Sequence, residues 1–297
     1  MKRLRLVVNP AARGDTTAAA EALELARAHG GWDIEAVRTE VRGHGVLLAE
    51  EAAGAGVELV VVVGGDGTAR EVAAGLANSP TPMMIIPAGT GNSSYRELFG
   101  QVPWRDLLTS ALAGGGERAV DLNRIQPLGE LSLLGFSIGW FAQIVELAAA
   151  DTATTGPARY ATAAMATAAA PGSFEAQVEL DGESLAGGSL GLVAVGGARI
   201  RGGVFPVLPE SSLEDGKLEV LCIDAVDSDG FSEVMDAVLR RANAGDPRVH
   251  RGRGRSLLIR SGAVLPAEVD GDLWEKHSGE TLVEVVPASL WVVQPPP

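Results

Sequence analysis

A parallel α/β unit followed by an antiparallel β-rich unit is the fold class this sequence predicts, and three observations predict it. Strand-like and helical segments alternate with short links as far as about residue 113. Three of those strand-like runs end in polar or glycine-rich loops. Beyond Gly114-Gly115-Gly116 the texture changes, and strand-like runs succeed one another with few helices between them. Alternation of this kind builds a parallel sheet covered by helices. The carboxyl ends of such a sheet line the ligand crevice. Strands joined by turn dipeptides pair antiparallel instead.

The elements follow in order. Leu4 to Val8 reads as a buried strand, and Asp15-Thr16-Thr17 offers a cap for an alanine-rich helix over Ala18–Ala28. Trp32–Thr39 reads as a second strand and Gly45–Ala55 as a second helix. Leu59–Val63 is a β-branched run with no alternation, as expected for a strand buried on both faces. It ends at Gly64-Gly65-Asp66-Gly67-Thr68, and a helix follows through Ala77. Met83–Ile86 is a short strand ending at Ala88-Gly89-Thr90-Gly91-Asn92, and a helix over Trp104–Ala113 closes the unit.

In the second half, strands are expected over 131–138, 174–180, 190–195, 218–223, 256–261, 264–269, 282–286 and 290–293. Asp181-Gly182 and Asp270-Gly271 read as hairpin turns. Helices are expected over 142–149, 159–169 and 231–240.

Composition narrows the function. At 46% hydrophobic and 21% charged residues the chain is not disordered. Twenty-four basic against 38 acidic residues give a net charge of -14, which argues against a nucleic-acid partner. Cys222 is the single cysteine, so neither an intrachain disulfide nor a cysteine-built zinc site is available. MKRLRLVVNP lacks the apolar core of a signal peptide, and no stretch approaches 18 strongly apolar residues. A cytoplasmic location is expected.

The chemistry gathers at the strand ends. Paired glycines let backbone approach a ligand where a Cβ would clash, and amides at the following helix start can cradle phosphate. A carboxylate in such a loop, Asp66, suits a magnesium-bridged phosphate or a nearby hydroxyl; the plainer reading is a tight turn in which Asp66 caps a helix. Glu71 either orients a residue in the crevice or merely complements the helix dipole. The 87-PAGTGN-92 loop repeats the logic, with Gly89 and Gly91 giving backbone freedom, Thr90 a hydroxyl and Asn92 a donor and acceptor. Asn9 and Thr39 sit at other strand ends. No lysine follows the glycines, so this is not a Walker A loop, and no GxSxG elbow is present.

With these residues in view, the chain resembles the diacylglycerol kinase catalytic-domain family, which includes bacterial lipid kinases and sphingosine kinases. The resemblance rests on 9-NPAARG-14, Thr39 with Gly43-His44, 64-GGDGT-68 with Glu71 and Gly75, and 87-PAGTGN-92. It continues through Asp121, 135-GFSIG-139, Gly156 with Tyr160, 213-LEDGKLEV-220 and 270-DGD-272.

The resemblance implies a phosphofructokinase-like three-layer α/β nucleotide domain over residues 1–122, completed by 285–297. An antiparallel β-sandwich-like, acceptor-binding domain would span 123–284. It also implies ATP and Mg2+ as cofactors. ATP would contact Asn9, Thr39, Gly64, Gly65, Asp66, Gly67, Thr68, Glu71, Gly89, Thr90, Asn92 and Asp121. Metal ligands would be Asp66, Asp121 and, for a structural ion, Asp215. The family's base falls at Asp272, where its DGE motif reads Asp270-Gly271-Asp272; Asp66 and Asp270 are the other catalytic candidates, and Glu275 and Glu280 are substitutes. Ser93 stands where bacterial members carry aspartate, and 196-GGARIRGG-203 lacks their asparagines.

The expected activity is transfer of the ATP γ-phosphate to a lipid hydroxyl, diacylglycerol-like or sphingoid-like. Two alternatives stay open: a kinase for NAD or another small molecule, and a nucleotide-binding regulatory protein without catalysis. Seven of the chain's 21 arginines lie between 240 and 260. They would either meet anionic headgroups at the inner membrane face or pair with the surplus carboxylates. A homodimer is left open.

Overall fold

The computed structural model describes residues 1–12, 17–127, 129–154, 157–199, 206–241 and 245–296. The side chains of residues 157, 263 and 275–278 lie outside that description. So do Gly14, the Asp15-Thr16 cap, Gly156, residues 200–203 and the Glu275 carboxylate. Two compact units form: Met1–Leu122 with Pro287–Pro297, and Asn123–Val286.

In the first unit β1 (Lys2–Val8), α1 (Ala18–His29), β2 (Trp32–Arg38), α2 (His44–Gly54), β3 (Leu59–Gly64), α3 (Asp66–Gly75) and β4 (Met83–Pro87) alternate. Then come α4 (Ser93–Phe99), α5 (Trp104–Leu112) and the start of β5 (Glu117–Gln126). The strands pair in the order β4-β3-β1-β2, all parallel. Val292, near the end of β13 (Asp272–Val293), adds a parallel partner beside Met83. Every residue of β3 is buried, because a central parallel strand meets packing on both faces. Helix α1 packs against α5, and α2 against α3. Gly75 permits the second contact: a Cβ there would stand 2.3 Å from the Val46 carbonyl oxygen.

The second unit is β-rich. It holds β6 (Glu130–Ser132), β7 (Phe136–Gly139), β8 (Phe174–Leu180), β9 (Glu183–Gly196), β10 (Leu218–Asp224), β11 (Val249–Gly254), β12 (Ser256–Val269) and most of β13. Its helices are α6 (Trp140–Ala150), α7 (Pro157–Ala169) and α8 (Ser228–Leu239). All pairings among β7–β13 within this unit are antiparallel. Strands β9 and β12 are long enough for each to pair with β8 along one stretch and with β7 along another.

Both faces of β9 and β10 are covered. Val193, Val195, Val220 and Cys222 enter one apolar cluster, while Leu192, Ala194, Leu221 and Ile223 enter another with Phe231 and Val234 of α8. That period-two partition explains why the run 220–223 is apolar without a polar alternate. Burial, with Asp224 nearby, pushes the Cys222 thiol up to about 12, so it behaves as a packing residue.

Sequence and structure differ at several elements. The expected strand over 131–138 is split into β6 and β7, because the chain turns at 133–135 to meet Asp270. The runs 256–261 and 264–269 form one strand with register shifts at Ser261/Leu265 and Leu265/Ala267. The runs 282–286 and 290–293 join with 272 onward into β13. Helix α4 and strands β5 and β11 were not expected from the sequence. The β11 run VHRGRG is arginine-rich and hides its strand character until its paired carboxylates are seen.

Candidate active site

Four strand ends in the first unit carry the expected residues. Asn9 follows β1 and is held by its backbone, with the amide donating to Val63 O at 2.9 Å. Its side chain donates to Thr68 Oγ1 at 2.8 Å and accepts from Ala11 N at 2.9 Å. Thr39 follows β2, buried, with its amide donating to Val8 O at 2.9 Å. The 64–68 and 89–92 loops then meet directly. A Cβ on Gly89 would stand 2.5 Å from the Gly65 Cα, so the two loops approach backbone to backbone where no side chain fits.

Side chains tie this arrangement together. Asp66 Oδ1 accepts from Ser94 N at 2.7 Å, so the carboxylate of one loop caps the helix that leaves the other. Asn92, in left-handed conformation at φ 54, staples its own loop. It accepts from Gly89 N at 2.9 Å and donates to Gly89 O at 2.8 Å. Glu71 receives Gly43 N at 2.8 Å and Gly45 N at 3.0 Å, which anchors the start of α2 beside Thr39. His44 is a local cap, its Nδ1 bonded to Glu40 N at 3.2 Å. Thr90 and Gly91 remain exposed at the loop tip. Next to it lies a surface cavity of about 340 Å³ lined by Pro87, Asn92, Tyr95, Arg96 and Gly100 to Val102. Tyr95 donates to Val102 O at 2.6 Å, and burial, with Asp106 adding, raises its hydroxyl to about 12.

Asp121 is buried and accepts from Ala288 N at 2.7 Å. Asp215, in the second unit, accepts from Lys217 N at 3.0 Å and pairs with Arg253. No group of three or more His, Cys, Asp or Glu side chains is placed to hold a metal ion among the described residues.

The 270–272 turn belongs to the second unit. Asp270 and Gly271 both have positive φ, 53° and 86°, joining β12 to β13 through a two-residue primed turn. Asp270 is 6% exposed, and its carboxylate serves four donors. Its Oδ1 accepts from Ser132 Oγ at 2.7 Å, Leu134 N at 2.9 Å and Gly135 N at 2.8 Å, and Oδ2 accepts from Leu133 N at 2.9 Å. Such an aspartate is a clamp on the 132–135 segment. Asp272, half-buried, opens β13 opposite Val269. Glu280 is exposed and bonded to Arg260 at 2.6 Å.

Five of the seven arginines of 240–260 pair with carboxylates. Arg240 bonds Asp236, Arg248 bonds Asp246 and Glu233, Arg251 bonds Glu219, Arg253 bonds Asp215 and Arg260 bonds Glu179 and Glu280. No helix among the described residues is long and apolar enough to cross a membrane.

Sequence reasoning did not reach the Asp66–Ser94 bond, the four donors of Asp270, or Glu268, a buried carboxylate two residues ahead of it. Only the serines after Asn92 could have signalled a helix start there; the donors of Asp270 and the Ser137 bond of Glu268 are long-range contacts with no local mark.

Known proteins share this order of domains. The diacylglycerol kinase catalytic domain matches residues 3–125, and the YegS C-terminal NAD kinase beta sandwich-like domain matches residues 136–294. A diacylglycerol kinase of Bacillus subtilis is 26% identical over 287 residues, covering 94% of this chain and 93% of its own. One from Staphylococcus saprophyticus is 24% identical, covering 95% and 92%. A diacylglycerol kinase crystal structure from Bacillus anthracis has the same fold, with a TM-score of 0.73 at 20% identity over 99% of this chain and 97% of that one. A second structure from that organism reaches 0.79 at 21% identity, over 99% and 98%. With one domain match following the other from residue 3 to residue 294, the chain belongs to the family of bacterial diacylglycerol and related lipid kinases.

Proposed function

We propose that this chain is an ATP-dependent lipid kinase that transfers the γ-phosphate to a lipid hydroxyl, on a phosphofructokinase-like three-layer nucleotide domain. The observation that carries the reading is the backbone contact of Gly65 with Gly89, fixed by Asp66 on Ser94. Two glycine loops held together in this way, one of them opening α3, offer a surface of amides to phosphate. Phosphoryl transfer depends on positioning and charge neutralisation more than on covalent chemistry by the protein.

In this reading Asn9, Thr39, Gly64, Gly65, Gly67, Thr68, Gly89, Thr90 and Asn92 receive the nucleotide, and Glu71 holds the loop before α2 against it. Magnesium is commonly held by one or two carboxylates with substrate phosphates and water, so a single loop carboxylate suits it. Asp66 is that carboxylate. When bound, the ion would neutralise charge on the transferring phosphate. Asp121 and Asp215 act as supports, the first for the turn at Ala288 and the second through Arg253. Asp272 is the base that accepts the acceptor hydroxyl's proton, directly or through one water, while Asp270 keeps its turn in place.

Transfer from ATP, with and without Mg2+, to diacylglycerol, a sphingoid base and NAD tests the reading. A phosphorylated lipid formed only with the metal is expected, and Asp66→Asn should lower kcat at least about 100-fold with the fold intact. Phosphorylation of NAD alone, or nucleotide binding without transfer to any acceptor, would contradict it.

A further inference from the structure

Glu268 has no part in the chemistry described so far. It is 3% exposed in β12, directly opposite Ser137 of β7. Its Oε1 accepts from Ser137 Oγ at 2.6 Å and its Oε2 from Gly271 N at 2.8 Å. Burying a carboxylate is costly unless its oxygens are satisfied, and its neighbours Ala267 and Val269 are apolar core residues. The two carboxylate oxygens therefore stand where donors reach them. One of those donors is the amide of the residue immediately before Asp272.

We infer that Glu268 is a positioning residue for Asp272, an inference that rests on the reading of Asp272 as the base. The two peptide groups flanking Asp270 are each tied by their N–H. Asp270 N donates to Gly135 O at 3.0 Å, and Gly271 N donates to Glu268. Gly271 is exposed and has no side chain of its own to fix its peptide plane. Asp270 secures the turn to the 132–135 segment, and Glu268 secures it to β7. Between them they set where β13 begins, and hence where the Asp272 carboxylate is presented. A short carboxylate tolerates little misplacement, since a shift of about 1 Å can cost 10²-fold in rate.

Two variants separate geometry from bulk. In Glu268→Gln the amide oxygen can still accept from Gly271 N and the NH2 can donate to Ser137 Oγ, whereas Glu268→Ala supplies neither. With ATP, Mg2+ and diacylglycerol in mixed micelles, kcat should fall about tenfold or more in Glu268→Ala while KM for ATP stays within about twofold. Glu268→Gln should stay within about threefold of wild type in kcat, which a role resting on charge would not allow. Hydrogen exchange over residues 268–273 should lose protection in Glu268→Ala and keep it in Glu268→Gln. If Glu268→Ala fails to fold, Glu268→Asp, too short to span both donors, is expected to show the same losses. Unchanged kcat or unchanged protection in the Ala variant overturns the inference, as does a Gln variant as slow as the Ala one. Full activity in Asp272→Asn would instead remove the base assignment itself, which marks that failure apart. Should wild type transfer phosphate to no acceptor, the exchange measurement alone decides whether Glu268 fixes the turn.

Discussion

Two Asp-Gly hairpins, at 181–182 and 270–271, share sequence and backbone but differ in what their aspartates hold. Asp181 and Gly182 have φ of 51° and 85°, within a degree or two of the 53° and 86° of Asp270 and Gly271. Each aspartate reaches across to a neighbouring segment. Asp181 is exposed and accepts from Arg255 N and Ser256 N, both at 2.9 Å. Asp270 is buried and accepts from four donors. The residue after the first turn, Glu183, is exposed, whereas Asp272 is half-buried. Local sequence sets the turn; burial sets how much depends on it.

The largest predicted contrast lies in stability. Asp270→Ala leaves Ser132, Leu133, Leu134 and Gly135 with donors and no acceptor in a dry site, and should cost about 3–5 kcal/mol. Asp181→Ala exposes two amides that water can reach, and should cost about 1 kcal/mol. Urea unfolding of both variants measures the difference; equal losses would break the comparison.

Gly182→Ala and Gly271→Ala sharpen it from the other side. Neither Cβ would meet an atom within 4 Å, so both substitutions are opposed by positive φ alone. Each should cost about 1–2 kcal/mol, and the two should agree within about 0.5 kcal/mol despite their different surroundings. Unfolding midpoints at constant m-value check this.

What the sequence made legible was local. The β3 run, the glycine loops after it and after β4, and both Asp-Gly turns were readable because strand burial and turn chemistry act through neighbouring residues. Contacts of long sequence separation were not readable. Asp66 caps a helix 28 residues away, Asp270 clamps a segment more than 130 residues earlier, and Glu219 meets Arg251 across two strands. The arginine cluster shows the same limit: one dimension left headgroup contact and carboxylate pairing as alternatives, and in three dimensions five of the seven have carboxylate partners.

The smallest predicted effect concerns Glu219. Its Oε2 is buried with no hydrogen-bond partner among the described residues. Burial raises its carboxyl above the ordinary value of 4.5, with Arg251 opposing. A raised acid stabilises the fold in its protonated form, so that contribution is present below the ordinary value and lost as pH rises through the raised one. Glu219→Gln mimics the protonated form. It should melt within a degree or so of wild type at about pH 4 and above wild type at neutral pH, as read by thermal unfolding. A difference independent of pH would contradict the assignment.

Asp272 tests the account most directly, because it follows the turn whose partners are buried and carries the proposed chemistry. The measurement is steady-state kcat and KM for ATP with diacylglycerol for wild type, Asp272→Asn and Asp272→Glu. The account predicts that Asp272→Asn lowers kcat at least about 100-fold with KM for ATP nearly unchanged, and that Asp272→Glu keeps substantial activity. Full activity in Asp272→Asn would contradict it.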